Sequence, residues 1–254
     1  MNAISNRYAN IDIIRGLAAL FVVWMHVSEV FRSLLPEGKP GEWMFTVADT
    51  VDFGRVGVVA FFAVSGFVIP ASFNHQGWLG LKLFLVRRFF RLYPAFWLSV
   101  PLAIWSGWYL WDKPVTFLQI VANISIVPQA FGQEPLEGLY WTLQIEMIFY
   151  VLCMIFFATG LLTHVKNIVI ASAFFFTLFA ISKMQGFVSL PIYVGHDEGM
   201  LSLYLSIMFW GAVYRAWHDK RTWKTGWNIV LWGLPILIIV VMPSLLSYKL
   251  IQSG

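Results

Sequence analysis

Charge is scarce in this sequence. Asp, Glu, Lys and Arg make up 12% of its 254 residues, against roughly 25% in a typical soluble domain. A water-soluble fold so poor in charge could not cover its surface, which excludes that class and leaves lipid as the outer solvent. Cysteine is nearly absent: Cys153 stands alone among apolar neighbours, so no internal disulfide forms and the thiol reads as a small buried hydrophobe. The chain also lacks a Gly-rich phosphate loop, HExxH, CxxC and GxSxG, which removes the usual nucleotide, zinc and serine-hydrolase readings. His75, His164, His196 and His218 show no metal-ligand spacing, so no metal site is expected, and His196-Asp197-Glu198 reads as a solvated polar loop. The formal net charge is +4, but the cations fall between apolar runs. That pattern suits membrane orientation rather than nucleic acid, and no nucleic-acid partner is expected.

Hydrophobic residues are abundant at 59%, and aromatic residues reach 18% with 23 Phe, 13 Trp and 9 Tyr. Apolar segments occupy 11–30, 54–73, 92–111, 139–162, 167–183, 200–215 and 227–247. Segments of about 16 to 24 residues, rising 1.5 Å each, suit a hydrocarbon core of about 30 Å. A further stretch, 115–131, is broken by Asn123, Pro128 and Gln129 and reads as an interfacial or re-entrant piece. Barrel strands would alternate in polarity, and FFFTLFAI at 174–181 does not. The expectation is an all-α, polytopic membrane bundle of seven to eight transmembrane helices with a cytoplasmic N-terminus. With that orientation, RRFFR and RAWHDKR fall inside, as the positive-inside rule requires. The acids Glu29, Glu37, Glu42, Asp49, Asp52, Asp112, Glu134, Glu137, Asp197 and Glu198 all fall outside. The first run carries an internal Arg and no small-residue cleavage site, so it reads as a retained helix.

Ionisable groups inside such helices are costly and become functional candidates by default. Arg15 and His26 lie in IDIIRGLAALFVVWMHVSE. Eleven residues make about three turns, so both leave one face about 16 Å apart along the axis. Arg15 could instead snorkel to the headgroups, and Asp12 is a plausible partner for it one turn before. His26 can take and return a proton near neutral pH, or simply hydrogen-bond at a helix interface. Glu146, in YWTLQIEMIFY, could orient the imidazole, bind substrate hydroxyls or form a structural ion pair. Thr142 lies nearest its face, and Trp141 either lines the same pocket or anchors the interface. In VDFGRVGVVAFFAVSGFVIP, Asp52 and Arg55 mark the outer edge, while Gly57, Ala60, Ser65 and Gly66 allow close helix approach. Pro70 is placed to kink the inner end. In RRFFRLYPAFW, Arg87, Arg88 and Arg91 present guanidinium forks that suit phosphates or lipid heads.

At these residues the sequence resembles acyltransferase family 3, integral-membrane enzymes that often O-acetylate surface sugars. NIDIIRGLAALFVVWMH resembles the family's opening helix, with its arginine at Arg15 and its histidine at His26. FGRVGVVAFFAVSGFVI resembles its second helix, ending in Ser65, Gly66 and Phe67. RRFFRLYPAFW resembles its basic cytoplasmic motif. LYWTLQIEMIFY resembles its Trp-x-Leu-x-x-Glu-x-x-Phe-Tyr block, with Trp141, Glu146, Phe149 and Tyr150 in place and Thr142 where serine is common. The four blocks run in order over residues 10–150.

The resemblance implies an O-acyltransferase with His26 as general base, Arg15 in support and Glu146 catalytic or structural in the pocket. It puts Arg87, Arg88 and Arg91 on the donor side, facing acetyl-CoA or another acyl-CoA as co-substrate, with no tightly bound cofactor. Asp52, Arg55, Ser65, Trp141 and Thr142 are then the candidate substrate pocket. The acceptor is expected to be a polysaccharide, glycan or glycolipid at the outer face, and the location the cell inner membrane, in contact with lipid. The family usually has about ten helices, so residues 1–254 are expected to form a single membrane domain, shortened at its C-terminal end. An incomplete bundle could cover an exposed polar groove by pairing with another chain. Two other readings compete: a transporter using Arg15, His26 and Glu146 as an ion or substrate path, and an inactive scaffold.

Overall fold

The computed structural model describes residues 9–34, 46–47, 52–73, 75–185, 200–219, 221 and 223–239. Every regular element among them is helical. The α-helices are α1 (Ala9–Leu34), α2 (Phe53–Val68), α3 (Gly77–Trp111), α4 (Phe117–Asn123), α5 (Trp141–Ala158), α6 (Val165–Gln185) and α7 (Leu201–His218). Short 3-10 turns connect several of them, and a π-helical turn covers Ile229–Gly233.

Four helices among the described residues are long and apolar enough to cross a membrane: Asn10–Phe31, Phe53–Ser72, Gly138–Ala158 and Val165–Lys183. The protein is therefore a multi-pass membrane protein, but the expectation of seven to eight spans is corrected to four. The physical reasons are local. The apolar run 92–111 is the second half of α3, which begins at Gly77 and carries the basic cluster in its middle. At 35 residues, α3 is about 52 Å long, well beyond one hydrocarbon core. Its second half is weakened as a span by Tyr93, Pro94, Trp97, Pro101, Trp105, Trp108 and Tyr109. The run 200–215 is α7, where Ser202, Ser206, Tyr204, Trp210 and Arg215 dilute the apolar character, and both serines are fully buried. The last run yields only a shorter apolar helix, Thr225–Ile239, and residues 240–247 lie outside the described residues. Glu37, Lys39, Glu42, Asp49, Lys220, Lys249 and the triplet His196-Asp197-Glu198 also lie outside them.

The chain forms two compact units, one comprising Met1–Val68 with Ser206–Gly254 and the other Ile69–Leu205. In the first, α2 is the central element, and its small residues decide the contacts. A methyl group on Gly57 would stand 2.7 Å from the Ala18 carbonyl oxygen of α1, and one on Gly66 only 1.7 Å from the Met208 carbonyl oxygen of α7. Gly211 returns the contact, since a methyl there would meet the Ala63 carbonyl oxygen at 2.1 Å. Glycine thus lets the α2 and α7 backbones touch, as small residues do where lipid supplies no hydrophobic drive between helices. Phe62 of α2 and Met208, Phe209, Val213 and Ala216 of α7 are fully buried. On α1, by contrast, Ile13, Leu17, Leu20, Val23, Trp24 and Val27 are exposed and form an apolar outer face suited to lipid.

In the second unit, Phe73 stacks on Phe84 at 4.3 Å and on Phe157 at 4.4 Å, which ties the turn after Pro70 to α3 and α5. Pro70 does not kink α2. The helix has ended at Val68, and the proline opens the 3-10 turn Pro70–Ser72. α5 ends where Gly160 adopts φ +74°, and the Thr159 and Gly160 amides close back on Ile155 and Phe157. The stretch 115–131 is not a span but α4 followed by a 3-10 turn at Pro128–Phe131. Its keystone is Asn123, fully buried, whose Nδ2 donates to the Gln119 and Glu134 carbonyls while its Oδ1 accepts the Leu136 amide at 2.9 Å. One buried amide side chain therefore replaces the backbone partners that this irregular segment lacks.

Candidate active site

Helix α1 presents Arg15 and His26 on the same side. Eleven residues turn about 1,100°, only about 20° past three full turns. Both flank the seam formed by Ala18, Phe21, Val22 and Met25, against which Gly54 and Gly57 of α2 pack. Arg15 is half-buried, with Asp12 exposed one turn before it. His26 Nδ1 lies 2.9 Å from Glu29 Oε2, and the two side chains are 42% and 46% exposed. An ionised carboxylate only accepts, so Nδ1 is the donor of this pair, and in the neutral imidazole that leaves the lone pair on Nε2. That is the tautomer a general base needs, with the carboxylate in the orienting role.

Asp52 and Arg55 serve each other at the start of α2. Asp52 Oδ1 accepts the Arg55 amide at 3.0 Å, and its Oδ2 lies 3.3 Å from Arg55 Nη1. Asp52 therefore caps the helix, at a φ of 49° that Asp tolerates better than most residues. Ser65 is buried in α2, next to the Gly66 contact.

The basic segment is divided by burial. Arg87 and Arg91 are exposed on α3, whereas Arg88 is 7% exposed. The three arginines sit within a continuous helix, Gly77–Trp111. Arg88 Nη2 donates to Ser72 Oγ at 2.9 Å, and that hydroxyl donates on to the Ile69 carbonyl. The Arg88 guanidinium carbon lies 5.4 Å from the ring centroids of both Phe84 and Tyr150. The Tyr150 hydroxyl donates to Glu146 Oε1 at 2.7 Å, and Glu146 is itself only 5% exposed. A buried cation and a buried carboxylate are thus joined through one tyrosine, and the cation is also held by Ser72. That is the condition under which buried charges are tolerated.

Trp141 packs its ring on Tyr204 at 5.3 Å. The Thr142 hydroxyl donates to the Leu139 carbonyl at 3.1 Å in the turn that opens α5. Gln144, buried beside them, donates to the Ile126 carbonyl at 2.8 Å and to Gln129 Oε1 at 2.9 Å. Ile126 has φ +68°, a strained value for a β-branched residue, and its side chain is buried.

The structure brings Arg88 and Glu146 into one cluster, and Arg15 and His26 onto one helix face. His26 and Glu146 belong to different units. Three polar partners went unassigned in the sequence reading. Glu29 was legible from its i,i+3 spacing to His26 but was counted only as an outer acid. Tyr150 stands one turn after Glu146, a spacing that brings side chains together on a helix. Ser72 had no sequence signal, because its partner Arg88 is sixteen residues away on another element.

Comparison with known proteins gives the following. A family described as an acyltransferase domain matches residues 8–251. A protein of Rhizobium radiobacter described as "Protein 2 in picA locus" is 32% identical over 99 residues. That match covers 38% of this chain and 44% of the Rhizobium protein, so the chain spans less than half of that relative. No solved structure matches the chain.

Proposed function

The chain belongs to the membrane acyltransferase family, which it matches over residues 8–251, and from that premise we propose that it is an O-acyltransferase. It transfers a short acyl group, acetyl in the simplest case, from acyl-CoA on the cytoplasmic side of the inner membrane. The acceptor is a hydroxyl of a polysaccharide, glycan or glycolipid on the outer side.

His26 is the general base. Its Nε2 takes the acceptor hydroxyl proton as the oxygen attacks the thioester carbonyl. The carbonyl–sulfur bond then breaks, and the CoA thiolate leaves with a proton, so that an ester and free CoA result. Glu29 holds Nδ1 and stabilises the imidazolium that forms. Arg15, on the same face, supports the site with a fixed positive charge that favours developing negative charge. Arg87 and Arg91, exposed and four residues apart on α3, suit the phosphates of the CoA donor. Asp52, Arg55, Ser65, Trp141 and Thr142 are the candidates for acceptor contact, with Glu146 in a catalytic or structural part. The observation that supports this reading is the His26–Glu29 pair, a histidine with one nitrogen held by a carboxylate on a helix of the family's opening motif.

The test is transfer of labelled acetyl groups from acetyl-CoA into the cell-envelope fraction of a host lacking its own acyltransferase. Wild type should label the envelope, and His26→Ala, at matched membrane levels, should not. Glu29→Gln should retain a reduced rate, about tenfold below wild type, because it weakens orientation without removing the base. Equal labelling by wild type and His26→Ala would remove His26 from the mechanism. No labelling by a stably inserted wild type would overturn the acyltransferase reading for the acceptors present.

A further inference from the structure

We infer that Arg88, alone of the three arginines on α3, is a positioning residue for Glu146 rather than a ligand of the donor phosphates, and that Tyr150 carries its effect. This deepens the acyltransferase reading and rests on it. The three cations lie within five residues and share a charge, so sequence treats them alike. Their surroundings do not. A phosphate ligand must reach a soluble anion, and Arg87 and Arg91 are exposed and able to do so. Arg88 is 7% exposed and points into the protein, where Ser72 Oγ takes Nη2 at 2.9 Å and two aromatic faces lie 5.4 Å away.

The aromatic faces have different functions. Phe84 is fully buried packing, stacked on Phe73. Tyr150 has a second end, and its hydroxyl donates to Glu146 Oε1 at 2.7 Å. A guanidinium over the ring makes the phenol a stronger donor, and a stronger donor holds the carboxylate more firmly. The chain of contact therefore runs Ile69 carbonyl, Ser72, Arg88, Tyr150, Glu146, across the turn after Pro70, α3 and α5. Every member is within the unit Ile69–Leu205. Glu146 cannot be replaced in this cluster by a neighbouring acid, because none of the other groups in it is a carboxylate.

The test compares full-length variants in membranes, reading the apparent kcat and KM for labelled acetyl-CoA with the envelope fraction as acceptor, and acetyl-CoA binding to the detergent-purified protein. Tyr150→Phe keeps the ring against Arg88 and deletes only the hydroxyl. It should lower kcat about tenfold while acetyl-CoA binding stays within about twofold, and Arg88→Lys should follow the same pattern. Arg91→Gln should do the reverse, weakening acetyl-CoA binding about three- to tenfold. A loss of acetyl-CoA binding in Arg88→Lys or Tyr150→Phe as large as in Arg91→Gln would overturn the assignment. A double-mutant cycle on thermal melting supplies a readout independent of turnover. Arg88→Gln and Glu146→Gln combined should cost less than the sum of the two singles, and strict additivity would overturn the coupling. Should Arg88→Gln fail to insert, Arg88→Lys takes its place in the cycle. If wild type transfers no acetyl group, the acyltransferase reading falls, while the binding comparison and the cycle still decide what Arg88 does.

Discussion

Glu29 and Glu146 each hold a partner one helical turn away, and they do so in opposite settings. Glu29 meets His26 one turn away on α1, with both side chains more than two-fifths exposed. Glu146 meets Tyr150 one turn away on α5, but inside a buried cluster with Arg88. The backbone geometry is nearly the same, a pair three or four residues apart on a helix. The difference lies in what surrounds each pair. The first pair lies open on the helix surface, so it contributes little to stability and can be reached by a reacting group. Nothing competes for the second, so removing one member leaves a charge without its partner in a dry site. One pair is open to a partner from outside the helix, and the other is held within the fold.

That contrast can be broken in several places. The largest effect is expected at His26. His26→Ala should cut acetyl transfer about 100-fold or more, with a melting temperature in detergent within about two degrees of wild type. A large drop in melting temperature would mean that the exposed pair is structural after all. Glu146→Ala should behave in the opposite sense, lowering stability by about 3–5 kcal/mol in a thermal or chemical denaturation series, because Arg88 loses the negative end of its cluster. A neutral result there would dissolve the distinction between the two sites. Smaller effects sharpen the view of the first unit. Gly66→Ala forces a methyl group against the Met208 carbonyl, and a loss of about 1–3 kcal/mol or more is expected because backbone cannot give way cheaply. Asp52→Ala removes the cap of α2 and should cost about 1 kcal/mol. Gly16, with nothing within 4 Å of its would-be methyl, provides the control: Gly16→Ala should stabilise α1 by about 0.5–1 kcal/mol.

Much of this was legible in the sequence, and the rest failed for identifiable reasons. The apolar runs 11–30, 54–73, 139–162 and 167–183 correspond to the four candidate spans, because each is a run of apolar side chains bounded by breakers. The run 92–111 misled because apolarity marks burial and lipid contact alike. Pro94 stands at the start of the run without ending the helix, so α3 continues through the basic residues and the run alike. The serine-bearing α7 misled in a similar way: its apolar residues are buried against protein, not exposed to lipid. Among site residues, the shared face of Arg15 and His26 follows from helical period alone. The pairing of Asp52 with Arg55 as a cap could also be read from spacing. The separation of Arg88 from Arg87 and Arg91 could not. It depends on Ser72 and Tyr150, which approach from other elements, and one sequence carries no record of such non-local contacts.

The two side chains Gln144 and Glu146 have a joint consequence for motion. They are two residues apart on α5, so they leave the helix about 200° from each other, on nearly opposite sides. One is fastened to the Ile126 carbonyl and Gln129, and the other closes on Tyr150 beside Arg88. A rod keyed on both sides can neither roll about its axis nor slip by a residue without breaking one of the two attachments. α5 is therefore a fixed post. Any loosening within the unit Ile69–Leu205 must therefore come from the elements packed around that post.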